Sequence, residues 1–146
     1  MKKKIVVTLL FISLISIQLP SNSVYALINT PNHYSKEEQY KDIFCSLLLP
    51  YIQKSVDDYY TKYLTTGGLV DPWDIEILSV ERPNNNFEFV IKMQVRPYVG
   101  PHISIGVDNI TITVEGYGEV KVNKFEHIQS DYLKLPPNWQ HIIKKS

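Results

Sequence analysis

A change of hydrophobic period at Asp71-Pro72 limits what this chain can fold into more firmly than any other feature it has. Before that point Tyr40, Ile43, Phe44, Leu47, Leu48, Tyr51, Ile52, Val56, Tyr59, Tyr60 and Tyr63 recur at spacings of three and four. Lys41, Asp42, Gln53, Lys54, Asp57, Asp58 and Lys62 fill the gaps, so the stretch is an amphipathic helix with one stripe for a core and one for water. Ser35 with Glu38 three residues later fits a capping box at its start, and Gly67-Gly68 fits its end. Pro50 removes one backbone hydrogen bond and crowds the carbonyl of Ser46. Because the stripe keeps its phase through the proline, one helix kinked near Leu49 is expected rather than two.

After Pro72 the period becomes two. Trp73–Arg82 reads as a first strand whose apolar set moves from Ile75 and Ile77 to Leu78 and Val80, the mark of a bulge. Pro83-Asn84-Asn85-Asn86 is a turn, and Phe87, Phe89, Ile91, Met93 and Val95 alternate along a second strand. A third strand is expected over His102–Glu115 and a fourth over Glu119–Ile128, joined by Gly116-Tyr117-Gly118. Centring that hairpin on Tyr117 sets Val114 opposite Val120 and Ile112 opposite Val122, apolar against apolar. Both strands lose phase together at Asp108-Asn109 and Asn123-Lys124, which predicts matched bulges or a shared bend. The tail carries Pro136-Pro137, Trp139, Ile142 and Ile143 and is read as a short docking helix. One helix followed by four antiparallel strands makes an α+β domain, the helix laid across a curved sheet in a cystatin-like or NTF2-like plan.

The first 26 residues stand apart from this domain. Lys2, Lys3 and Lys4 precede an apolar run of about 13 residues from Ile5 to Ile17, and Pro20 and a polar stretch lead to Val24-Tyr25-Ala26. A charged start, a short apolar run and small residues before the cut describe a secretory signal peptide, with cleavage expected after Ala26. The run is shorter than the roughly 20 residues a permanent membrane helix needs, so no stable span is expected once the signal is gone. Residues 27–34 read as a flexible leader and 35–146 as a single domain, secreted or held at the cell surface.

Removal of the signal leaves twelve basic and fifteen acidic residues, a net charge of −3. With no basic stripe interleaved with aromatics, nucleic acid is not an expected partner. Cys45 is the only cysteine, so the core forms without an intrachain disulfide. In the segment Ile43–Leu49 it reads as a small buried hydrophobe, against an intermolecular bridge or a reactive thiol.

Chemistry-bearing motifs are few: no glycine-rich phosphate loop, H-E-x-x-H, G-x-S-x-G or C-x-x-C occurs, and no cofactor is implied. The hairpin register brings Val107 opposite His127 and Asp108 beside it, which makes Asp108 and His127 the candidates for acid/base or metal-assisted chemistry. His102 falls about 17 Å away along the same strand, so no metal site is expected there. Asp71, Trp73 and Asp74, an aspartate pair beside an indole, could take a sugar or a polycation, and the loop through Tyr98 and His102 is a second candidate contact surface.

The stretch Arg96-Pro97-Tyr98-Val99-Gly100-Pro101-His102, with Gly106-Val107-Asp108-Asn109-Ile110-Thr111 and Phe125-Glu126-His127, resembles a family of small exported proteins of spore-forming Gram-positive bacteria, domain of unknown function 3888. The resemblance runs from the helix to His127. It implies an exported bacterial protein and carries no catalytic residues with it. The expectation is therefore a non-enzymatic binding or interaction module for an unidentified protein or cell-surface ligand. The alternatives are a small secreted hydrolase or metal-dependent enzyme using Asp108 and His127, and a protease inhibitor suggested by the cystatin-like order.

Overall fold

The computed structural model describes residues 34–83 and 86–145, and from Lys36 onward they form one unit. The signal peptide, the cut after Ala26 and residues 27–33 of the leader lie outside the described residues.

The helix, α1, runs over Lys36–Tyr60, with Glu37 and Glu38 in its first turn where the positive end of the helix dipole favours them. It passes through Pro50 without a break. It ends at Tyr60 rather than at Gly67-Gly68, and a turn over residues 61–63 takes over: Tyr63 and Leu64 both donate to the Tyr60 carbonyl, at 2.9 and 2.8 Å. Gln53 then ties down the glycine loop, its amide donating to Gly68 O and its Oε1 accepting from Val70 N at 3.1 Å.

Among the described residues six strands follow: β1 (Ile75–Glu81), β2 (Phe89–Val95), β3 (Tyr98–Val99), β4 (Ile103–Ser104), β5 (Gly106–Val114) and β6 (Val120–Ser130). Four of them form an antiparallel sheet in the order β1-β2-β5-β6, and β3 with β4 makes a separate two-stranded ribbon. The α+β reading therefore holds, one helix packed on a four-stranded sheet. Cys45, Leu48, Ile52, Val56 and Tyr60 of α1 share one core with Ile75, Ile91, Met93, Val95, Ile110 and Ile112 of the sheet. Cys45 is a free, buried thiol, and burial pushes it up.

The bulge expected in β1 is present, between Ile77 and Ser79. Trp73 is not in that strand, since Pro72–Asp74 forms a 3-10 turn ahead of it. The long third strand is interrupted. Gly100 at φ +52° and His102 at φ +56° turn the chain back on itself, which places His102 at the tip of the β3–β4 ribbon instead of inside a strand.

Val114 faces Val120 and Ile112 faces Val122 as the hairpin reading required. The irregularities beyond are not matched between the strands: both extra residues, Asn123 and Ile128, belong to β6. Asp108 is consequently opposite His127, one place from the register first expected. The tail docks as a 3-10 turn at Gln140–Ile142, with Ile142 buried and Thr65 N donating to its carbonyl at 2.8 Å.

Candidate functional site

Two clusters built from the same three residue types emerge from this framework. The first lies inside. Alternation along β5 aims Asp108 at the helix together with Ile110 and Ile112, so a carboxylate occupies what would otherwise be an apolar core position. Asp108 is fully buried. Tyr60 Oη from the last turn of α1 donates to its Oδ2 at 3.0 Å, and His127 Nδ1 lies 2.7 Å from its Oδ1.

The relay continues one step further, because His127 Nε2 lies 2.7 Å from Ser130 Oγ. Ser130 was not anticipated, and the reason is geometric. Regular alternation would put residue 129 on the His127 face, but the extra residue Ile128 resets the phase and turns Ser130 there instead. An ionised Asp108 accepts both bonds, which in a neutral imidazole places the proton on Nδ1 and leaves Nε2 able to accept from the serine hydroxyl.

Aromatic packing holds the imidazole from two sides. Tyr59 stacks on it with centroids 4.6 Å apart, and Tyr60 meets it edge-on at 6.0 Å. Gly106 is required here, since a Cβ at that position would overlap Tyr60 Oη and Gln129 O. Desolvation pushes the Asp108 carboxyl above its ordinary range, against the pull of the bonds from His127 and Tyr60. Burial and the nearby Asp108 push the Tyr60 hydroxyl up as well, so it remains a donor. Beside His127 a cleft of about 360 Å³ opens between Tyr59, Lys62 and Phe125.

The second cluster is at the surface and unites the candidate binding residues. A two-bond bridge between Leu69 and Tyr98, at 2.8 and 2.9 Å, lays the 71–74 turn against the β3–β4 ribbon. Tyr98 Oη donates to Asp71 Oδ2 at 2.6 Å, which pushes the phenol up to about 12. The His102 ring stacks on Tyr98 with centroids 4.2 Å apart, and its Nδ1 is 4.0 Å from the same Asp71 oxygen.

Asp74 Oδ2 is buried and has no hydrogen-bond partner among the described residues. Desolvation, then repulsion from Asp71, pushes its carboxyl up. Trp73 projects outward and is 70% exposed. One ligand atom each from Asp71, Asp74 and His102 lie within 4.8 Å of one another, a donor set able to hold a divalent cation. His102 is thus separated from Asp108 and His127, as expected, and joined to Asp71 and Asp74, which was not.

A cavity of about 450 Å³ touches neither cluster. It lies at the far end of the sheet, between Asn86–Glu88 and Glu115–Tyr117. No described helix is long and apolar enough to cross a membrane.

Fold and sites together define a small α+β domain with one buried polar relay and one open polar surface. The chain belongs to the family described as "Protein of unknown function (DUF3888)", whose model matches residues 40–129. The match covers every residue of the surface cluster and ends one position before Ser130. No curated protein and no solved structure matches the chain.

Proposed function

We propose that the chain is exported, that Met1–Ala26 is removed, and that the domain then works at the cell surface or in the medium as a binding module. Its contact surface is formed by Asp71, Trp73, Asp74, Tyr98 and His102. The observation that carries this reading is the buried, unpartnered Asp74 Oδ2 beside an exposed indole. An orphaned carboxylate oxygen is costly unless an incoming donor satisfies it. An indole face and paired carboxylates suit ligands that combine apolar ring or CH surface with hydroxyl or ammonium donors, such as the amino sugars and cationic groups of a bacterial wall.

Expression of the full chain with a C-terminal tag in a Gram-positive host tests export. The tagged protein is expected in the wall fraction or the medium with Leu27 as its first residue, and retention in the cytoplasm with Met1 intact overturns that part. Co-sedimentation with purified wall sacculi tests binding. Trp73→Ala and Asp74→Asn are each expected to reduce the bound fraction about tenfold, the order of one lost stacking or charge-assisted contact. Absence of co-sedimentation by the unaltered protein rejects the wall ligand.

A further inference from the structure

We propose that Ser130 is a nucleophile for acyl transfer, activated by His127 and positioned through Asp108, and that its substrates are small carboxylic esters. The three side chains are joined in the order that chemistry needs. The carboxylate holds Nδ1–H at 2.7 Å and so aims Nε2 at the serine hydroxyl, also at 2.7 Å.

Several features of the fold serve this arrangement at the expense of a simpler core. A valine at position 108 would continue the apolar face of β5, whereas the buried carboxylate needs Tyr60 and His127 to satisfy it. Glycine at 106 leaves room for the Tyr60 hydroxyl, and the bulge at Ile128 interrupts the ladder to turn Ser130 inward. The cleft next to His127 is lined by the rings of Tyr59 and Phe125, with Asp58 and Lys62 placing opposite charges on it.

In the reaction Ser130 Oγ forms a bond to the ester carbonyl carbon and passes its proton to His127 Nε2. The carbon–oxygen bond to the alcohol breaks, and the departing alkoxide takes that proton. Water then adds to the acyl-serine and gives a proton to His127. The carboxylic acid leaves and Ser130 recovers its hydrogen. Tyr60 and Asp108 are positioning residues throughout.

The test is covalent labelling of the purified full chain with a fluorophosphonate probe, followed by intact mass and peptide mapping, with turnover of p-nitrophenyl acetate measured in parallel. One adduct on Ser130 is expected, absent in Ser130→Ala, with ester hydrolysis lost in the same variant. His127→Ala is expected to slow labelling at least about 100-fold. Ser130→Ala leaves the Tyr60–Asp108–His127 bonds in place, so its circular dichroism and melting midpoint should match those of the unaltered protein. A folded unaltered protein that takes no adduct, or equal labelling in Ser130→Ala, overturns the proposal.

Discussion

The Tyr60–Asp108–His127 trio and the Tyr98–Asp71–His102 trio are made of the same three side chains, and burial makes them different objects. In both a phenol donates to a carboxylate, at 3.0 Å inside and 2.6 Å at the surface. Inside, the histidine closes on the second carboxylate oxygen at 2.7 Å and continues to a serine. At the surface it stands 4.0 Å away and stacks on the tyrosine instead. Asp108 is fully buried and both its oxygens are paired, which holds the trio in one arrangement, whereas an unpaired buried oxygen is costly. Asp71 is only partly buried, so water can serve its carboxylate and its neighbours stay free to meet a ligand. The inner trio is therefore suited to holding a proton path, and the outer trio to recognition.

The contrast breaks most severely at Gly106. Gly106→Ala forces a Cβ into Tyr60 Oη and Gln129 O and is expected to cost about 3 kcal/mol by overpacking and loss of the relay. Urea unfolding measures this, and a loss below about 1 kcal/mol means the relay has room that the geometry denies. Next comes the tyrosine pair. Tyr60→Phe strands Asp108 Oδ2 without a donor and is expected to cost about 2 kcal/mol. Tyr98→Phe should stay within about 0.5 kcal/mol, because water replaces the lost partner of Asp71. Equal losses in the two variants would erase the distinction between the trios.

The charge on Asp108 gives the third effect, of opposite sign. Its folded carboxyl titrates above the unfolded value of 3.8, so between the two the folded state binds more protons and stability falls as pH rises. The contribution is fully present below the unfolded value and gone above the raised folded one. Asp108→Asn should flatten that slope and raise stability at pH 7 by about 1 kcal/mol. It should also slow fluorophosphonate labelling of Ser130, since the amide keeps a single acceptor oxygen for which Tyr60 and His127 compete, and it carries no charge to stabilise the imidazolium. Thermal melts from pH 4 to pH 7 with labelling rates alongside read both, and a loss of stability with unchanged labelling contradicts the positioning role. The smallest effect belongs to Trp73→Ala, expected within about 0.5 kcal/mol in a urea melt because the indole is 70% exposed.

Local period made the helix, the antiparallel strands after it and the Val114–Val120 hairpin legible, because each depends on residues within a few positions of one another. Less was legible where long-range pairing decides. The surface cluster exists because Leu69 pairs with Tyr98, a bridge between segments that no local pattern links, and His102 reaches it only because Gly100-Pro101 turns the chain. Ser130 was hidden by the bulge at Ile128, which breaks the alternation used to assign faces. On α1 the apolar stripe is broader than the buried one: Tyr40, Ile43, Leu47 and Tyr51 are exposed while Cys45, Leu48, Ile52 and Val56 are buried. Spacing of three and four admits both sets, and only the position of the sheet chooses between them.

The tautomer of His127 tests the central claim most directly, because the relay activates Ser130 only if the proton between Asp108 and His127 resides on Nδ1. Long-range nitrogen–proton correlation NMR on uniformly nitrogen-15-labelled protein at neutral pH separates the ring forms. The account predicts a neutral His127 protonated at Nδ1, with Ser130→Ala leaving that form unchanged. Protonation at Nε2, or at both nitrogens, would make the serine oxygen an acceptor and contradict it.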